Sequence, residues 1–188
     1  MSRALVGGAL VVSIAAVAAC GGGSDDNKAP ATPQGFTRSE TRYFSFAHPS
    51  AWPVEVRKPS GQQSPGELLA EAIGPAGTGG QRPDVVVGAT PDYHSGLDGL
   101  VQVNELSAKT RFARRKVLSR KDAKVAGAKS AKLIEAEVPA RDGTPVRTFD
   151  LLTISGKRTA VSMFIAVPAA DVGSARVREI LDSLQVRK

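Results

Sequence analysis

Few of the residues from which catalytic sites are built occur in this chain. Its 188 residues include one cysteine, Cys20, and two histidines, His48 and His94. Zinc sites draw on several His, Cys or carboxylate ligands, yet the sequence has no His-Glu-x-x-His or Cys-x-x-Cys motif. It also lacks a Walker-type phosphate loop, a Gly-x-Ser-x-Gly nucleophile elbow and a calcium-loop pattern. The sequence therefore predicts no metal, no cofactor and no enzymatic activity.

Long apolar runs are also scarce, because only one is present, from Ala4 to Ala19. It follows a single positive charge, Arg3, and ends in small residues, which is the layout of a secretory signal. The run is shorter than the roughly 20 apolar residues that a membrane-spanning helix needs. We therefore expect residues 1–19 to be an export signal that is removed.

The end of this run, Val17-Ala18-Ala19-Cys20, resembles the lipobox of bacterial lipoproteins. The resemblance implies a diacylglycerol on the Cys20 sulfur and cleavage after Ala19, and two acyl chains hold a protein stably on a membrane. The alternative is an ordinary signal with a chance cysteine. Residues 20–35 are rich in Gly, contain Asp and Pro, have little apolar content and are predicted to be a flexible tether.

Residues 36–188 are enough for one domain with its own core, and without a second cysteine that domain has no disulfide. Alternating apolar residues or β-branched runs predict strands over 42–46, 54–57, 84–88, 132–138, 146–154 and 159–167, with a hairpin turn at Asp142-Gly143. Residues 67–73 are predicted to be a further strand, with a short helical turn as the alternative. A capping pattern at Ser95 predicts one helix. Asp171 is the predicted cap of a final helix with an apolar face of Val177, Ile180, Leu181 and Leu184. The order of elements indicates an α+β domain.

Several short stretches resemble the LpqN-like lipoproteins of actinobacteria, which share the fold of the photosystem II protein PsbP and of the Mog family. They are Phe44-Ser45-Phe46 with Pro49 and Trp52, Ile134-Glu135-Ala136, Asp142-Gly143, Ala169-Ala170-Asp171 and the segment Ile180 to Leu184. The resemblance implies a central antiparallel β-sheet flanked by helices, an α/β/α sandwich. It also implies a domain that docks to partners or carries ligands and has no catalytic residues.

The net charge of +7 favours acidic partners such as anionic lipid headgroups, phosphate-bearing wall polymers or an acidic protein surface. Export makes nucleic acid an implausible partner. The basic residues concentrate between 109 and 132, and Glu105 and Asp122 are almost the only opposing charges nearby in the sequence. A candidate anion-binding patch there comprises Arg111, Arg114, Arg115, Lys116, Arg120 and Lys121. The alternative is a solvated helix end and strand face.

One stretch, Asp92, His94 and Ser95, contains the residue types of a hydrolytic triad. A helix cap is the better explanation of Ser95. The sequence therefore favours a non-enzymatic lipoprotein on the extracytoplasmic face of the cell membrane, which docks or carries an envelope protein, lipid or glycolipid. An envelope hydrolase that uses the three residues is the rival hypothesis, and carriage of a lipid in a cavity beneath the sheet is a variant of the first.

Overall fold

The computed structural model describes residues 28–57, 68–77, 80–112 and 114–187. The predicted signal, Cys20 and the first part of the predicted tether lie outside these residues. None of the helices in the described ranges has the length and apolar character that crossing a membrane requires.

Two antiparallel sheets and two α-helices make up the fold of the described residues. The strands are β1 (Phe36–Glu40), β2 (Phe44–Pro49), β3 (Val54–Arg57), β4 (Leu68–Ile73), β5 (Asp84–Thr90), β6 (Lys116–Asp122), β7 (Ala128–Pro139), β8 (Pro145–Ser155), β9 (Ala160–Pro168) and β10 (Gln185–Val186). The helices are α1 (Gly96–Arg111) and α2 (Val177–Asp182). A seven-stranded sheet has the order β3-β4-β5-β9-β8-β7-β6, and a three-stranded sheet has the order β1-β2-β10.

The large sheet is apolar on both faces at its centre, as the sequence of β9 predicts. Met163 and Ile165 point from β9 into the main core, where they meet Phe44 and Phe46 of the small sheet and Ile180 of α2. On the other face, α1 packs through Leu100 on residues that include Ile134, Leu152 and Ile154. The large sheet is therefore covered by a helix on one side and by a helix and a second sheet on the other, which confirms the predicted α+β class.

The β7–β8 hairpin turns at the predicted Asp142-Gly143. Gly143 has φ +85°, a left-handed conformation that glycine adopts without cost. The Asp142 carboxylate accepts a hydrogen bond from the Thr144 N–H at 2.9 Å, which fixes the turn. The longest pairing of the fold follows from this turn, since β7 and β8 are in register from Pro139 opposite Pro145 back to Ser130 opposite Ile154. Beyond an irregularity in the register, Ala128 pairs with Ser155.

Several local predictions are wrong. The last helix begins at Val177 and not near Asp171, because the chain first forms a 3₁₀ turn at 169–171 and Arg176 takes a left-handed φ of 53°. Its predicted apolar face is nevertheless buried throughout. Ser95 precedes α1 as expected, but its helical backbone angles leave its side chain without a capping hydrogen bond. Three strands, β1, β6 and the two-residue β10, are absent from the predicted elements.

Candidate functional site

The basic stretch that the sequence singles out does not form one surface. Helix α1 ends at Arg111, and the edge strand β6 begins at Lys116. The six candidate residues are therefore divided among a helix end, a connecting turn and two faces of a strand. Each group has a different environment.

Arg115 is a buried structural residue. Its Nη2 atom donates to Asp150 Oδ2 on β8 at 2.6 Å, and the two side chains are only 6% and 4% exposed. Asn104 of α1 donates to the other Asp150 oxygen at 3.0 Å. Burial raises the pKa of the Asp150 carboxyl, and the Asn104 hydrogen bond and the Arg115 charge oppose that rise. These three side chains hold α1 against the sheet. Arg115 therefore does not belong to an exposed anion-binding patch.

The β6 residues of the candidate patch lie on opposite faces. Arg120 pairs across the strands with Ile134, so it lies on the α1 side, where its side chain forms an ion pair with Glu105 at 2.8 Å. Lys121 pairs with Leu133 and lies on the other face. Lys116, also exposed, stands opposite Glu137. A β-bulge between Val117 and Ser119 sets this arrangement, because it shifts the alternation by one residue.

More negative charge lies near the basic stretch in the fold than the neighbouring residues in the sequence indicate. Glu135 and Glu137 of β7 lie one strand away from β6, and both form ion pairs with Arg147 of β8, at 2.5 Å and 3.6 Å. Strand pairing brings these carboxylates in from positions beyond the stretch.

The remaining two arginines of the candidate patch meet a third that the sequence analysis missed. Arg111, Arg114 and Arg141 line an open cleft of about 380 Å³ between the end of α1 and the β7–β8 hairpin. All three side chains are exposed. The cleft is completed by Phe112, Val138, Pro139, Ala140 and Gly143. We call this site the arginine cleft.

The helix end that forms the arginine cleft is held by an aromatic contact. Phe112 leaves the helix with non-helical backbone angles, and its ring stacks on Phe164 of β9 with centroids 6.2 Å apart and an interplanar angle of 14°. The Arg111 guanidinium lies 5.8 Å from the Phe112 ring centroid, within the range of a cation–π contact. The helix dipole also explains a basic Arg111 in the last turn, but Arg114 and Arg141 lie outside the helix.

One acidic residue borders the arginine cleft. Asp142 follows Arg141 in the hairpin, and the Thr144 N–H holds the pKa of its carboxyl below the usual value. Three guanidinium groups beside one fully ionised, already hydrogen-bonded carboxylate leave a net positive site. An apolar wall next to these charges suits an anionic group attached to an apolar body.

The residues of the hydrolase hypothesis are close in sequence but do not form a relay. His94 Nδ1 lies 3.0 Å from the Arg158 guanidinium, and both residues are exposed. Since arginine only donates, this ring nitrogen is the acceptor. Asp92 has a φ of 53° in the turn before α1. Among the described residues no hydrogen bond connects Asp92, His94 and Ser95.

His48 is a structural side chain. It is 4% exposed in β2, with Nε2 3.1 Å from the Ser39 hydroxyl and Nδ1 3.0 Å from the Pro49 carbonyl. Burial lowers its pKa, so the neutral ring is favoured. In the described ranges no three His, Cys, Asp or Glu side chains are grouped as metal ligands would be.

A second open cleft, of about 680 Å³, lies at the other end of strand β7. Its lining includes Lys28 and Pro30 from the start of the described chain, Lys124 and Lys129 around the β6–β7 loop, and Asp182 of α2. We call this site the lysine cleft. Both clefts extend onto β7, where their nearest lining residues are Ala131 and Val138, so at roughly 3.3 Å per residue about 23 Å of strand lies between them.

Comparison with known proteins identifies the fold. No protein-family model matches the chain, and no curated protein matches it in sequence. Among solved structures, LpqN, which is involved in cell envelope biogenesis of Mycobacterium tuberculosis, matches with a TM-score of 0.53 and 13% identity over 77% of this chain and 83% of that one. Cyanobacterial PsbP (CyanoP) from Synechocystis matches with a TM-score of 0.57 and 12% identity over 90% of this chain and 98% of that one. The predicted resemblance to the LpqN and PsbP fold is confirmed at the level of structure.

Proposed function

We propose that the protein is a lipid-anchored extracytoplasmic lipoprotein that acts as a non-enzymatic docking module of the cell envelope, with the arginine cleft as its binding site. The anchor is inferred from the lipobox at 17–20. A shared fold with LpqN, a protein of cell envelope biogenesis, supports the same setting. The arginine cleft carries the docking half of the proposal.

Three arginines from three separate segments are unlike an ordinary solvated surface. Arg111 comes from α1, Arg114 from the turn after it and Arg141 from a hairpin distant in sequence. A guanidinium offers several N–H donors in one plane and binds carboxylate or phosphate through paired hydrogen bonds. Three of them beside Phe112 and Val138 favour an amphiphilic partner with an anionic group, such as a lipid headgroup or an acidic peptide segment.

Docking at the surface is favoured over carriage inside the domain. The space between the two sheets is filled by Phe44, Phe46, Met163 and Ile165, each of which is fully buried. A core packed in this way admits an acyl chain only after rearrangement. We therefore expect a ligand to bind in the open arginine cleft, which leaves its apolar part accessible to a second molecule or to the envelope.

A defined amphiphile tests the site. Calorimetric titration of the chain from Cys20 with dodecyl phosphate, below its micelle concentration, is expected to give saturable binding at a ratio of one to one. The triple variant Arg111→Gln, Arg114→Gln, Arg141→Gln is expected to weaken binding at least tenfold, because each charge-assisted hydrogen bond contributes about 1.5–3 kcal/mol.

Two controls distinguish binding in the arginine cleft from attraction by the net charge of the protein or by the apolar chain of the ligand. Lys121→Gln, Lys124→Gln, Lys129→Gln removes the same charge from exposed positions elsewhere and is expected to leave the affinity within twofold. Dodecanol replaces the phosphate with a hydroxyl and is expected not to bind. Equal loss in the two triple variants, or equal binding of dodecanol, would contradict an arginine-based site.

A further inference from the structure

The lysine cleft lies where the chain enters the domain. Lys28 and Pro30 line it directly. Arg38 of β1 holds this entering segment, because its Nη2 atom donates to the Pro30 carbonyl at 2.7 Å and its Nη1 atom to the Ser183 carbonyl at 3.1 Å. The Arg38 Nε atom donates to the Thr32 hydroxyl at 3.3 Å. Residues 30–32 are therefore attached to the same end of the domain as the lysine cleft.

Covalent geometry limits how far this end lies from the proposed anchor. Eight residue-to-residue steps, with seven residues between, join Cys20 to Lys28. Even fully extended they span at most about 29 Å, at roughly 3.6 Å per residue. The lysine cleft therefore lies at the end of the domain to which an anchor at Cys20 is joined, and the nearest lining residues of the arginine cleft are about 23 Å further along β7.

The charges at this end are free to meet an anionic surface. Lys28, Lys124 and Lys129 are exposed. Among the described residues none of the three forms an ion pair, whereas Arg115, Arg120 and Arg147 on the remainder of the fold are all paired. Lys121 and Lys157 are exposed at the ends of the neighbouring strands.

Three acidic residues oppose these lysines. Asp182 lines the lysine cleft, and Asp25 and Asp26 precede Lys28 in the sequence. The lysine end therefore has a modest positive excess. Attraction between exposed charges and a membrane falls off within a Debye length of about 8 Å at physiological ionic strength. A modest excess orients a domain only if a tether already holds it near the surface.

We propose that the lysine cleft is a membrane-contacting surface, which rests on anionic phospholipid headgroups and orients the anchored domain so that the arginine cleft points away from the bilayer. This inference rests on the proposed anchoring at Cys20. The tether supplies proximity, and Lys28, Lys124 and Lys129 supply orientation. The docking site is thereby presented to the envelope instead of to the membrane from which the chain emerges.

The single cysteine allows a direct test. The chain from Cys20 to Lys188 is coupled through its one thiol to maleimide-bearing lipid in vesicles of phosphatidylcholine, with or without phosphatidylglycerol. Brief lysine acetylation followed by peptide mass spectrometry then reports the reactivity of each lysine. On anionic vesicles Lys28, Lys124 and Lys129 are expected to lose at least threefold in reactivity, while Lys109 and Lys116 near the arginine cleft are expected to be unchanged.

Matched variants test the role of charge. Lys124→Gln with Lys129→Gln is expected to abolish the protection of Lys28, whereas Lys109→Gln with Lys116→Gln removes the same charge and is expected to preserve it. Asp25→Asn with Asp26→Asn is expected to strengthen protection. Equal protection on neutral vesicles, no protection on either kind, or protection of Lys109 and Lys116 in place of the lysine cleft would overturn the proposal. Because the anchor is attached chemically, none of these results depends on whether cells lipidate Cys20.

Discussion

Loss of either partner of the buried Arg115–Asp150 pair should destabilise the domain severely. Both side chains are almost inaccessible, and their atoms are 2.6 Å apart. Arg115→Met leaves an ionised carboxylate in a buried site, and Asp150→Asn leaves a guanidinium that cannot lose its charge. Breaking a buried pair in this way costs about 3–5 kcal/mol, a large fraction of the roughly 5–15 kcal/mol that stabilises a domain.

The Arg115→Met variant should also show a distinct pH dependence. Burial already raises the pKa of Asp150, and removal of the Arg115 charge removes one of the influences that oppose this rise. A carboxyl with a raised folded-state pKa destabilises the fold fully above that pKa and not at all below its unfolded value of about 3.9. The deficit relative to the wild type is therefore expected to be largest near neutral pH and to shrink as the pH falls towards 4.

Urea unfolding followed by tryptophan fluorescence measures these effects, because Trp52 is the only tryptophan and is 6% exposed. The control is Arg120→Met, which removes an arginine whose ion pair is partly exposed, so it should cost no more than about 1 kcal/mol. The double variant Arg115→Met, Asp150→Asn should cost clearly less than the sum of the singles. Single losses below about 1 kcal/mol, or strict additivity, would refute a buried, coupled pair.

Three further predictions concern other parts of the fold. Asp84 is half-buried with one oxygen unpartnered, and burial raises its pKa from 3.8 to about 6, so the wild type should lose stability as the pH rises between these values. The Asp84→Asn variant should therefore unfold at a higher temperature than the wild type above pH 6 and at no higher temperature below pH 4. Gly127 has a φ of +77°, and a Cβ there would clash with the Val186 carbonyl oxygen, so Gly127→Ala should cost about 2–3 kcal/mol of stability in urea unfolding. The control is Gly156→Ala, whose Cβ would have no atom within contact distance and which should change stability by less than about 0.5 kcal/mol. His94→Ala, at an exposed site, should change stability by less than about 0.5 kcal/mol and leave any ester hydrolysis by the purified domain unchanged; loss of turnover with an intact fold would support the rival hydrolase hypothesis.

Local patterns in the sequence predict seven of the ten described strands, because the alternation of apolar residues in a strand depends only on near neighbours. They miss β1, β6 and β10, which lack such an apolar alternation. The alternation in β9 and β8 and the Asp142-Gly143 turn each depend on neighbours within a few residues. The apolar face of α2 is visible for the same reason. Its start is not, since Asp171 satisfies the rule for a helix cap as well as it satisfies the 3₁₀ turn that forms.

The candidate site is less visible because its members meet only through tertiary pairing. Arg115 is indistinguishable from Arg114 in the sequence, and its burial is set by Asp150, a residue 35 positions away on a strand two places across the sheet. Arg141 reads as a turn residue, and only the packing of the hairpin beside α1 places it with Arg111. Asp150 itself was an indication, because it is a charged residue within the apolar run of β8. Charged residues are buried mainly when they are paired, so its position indicates a basic partner.

The most direct test of a lipid-anchored docking module is the intact mass of the mature protein, extracted with detergent from the membranes of its own cells. The predicted result is a chain that begins at Cys20 and carries a diacylglycerol. The Cys20→Ser variant is predicted to be absent from the membranes. A mature chain that is not found in the membranes, that begins at another residue, or that keeps an unmodified Cys20 thiol would contradict the central claim.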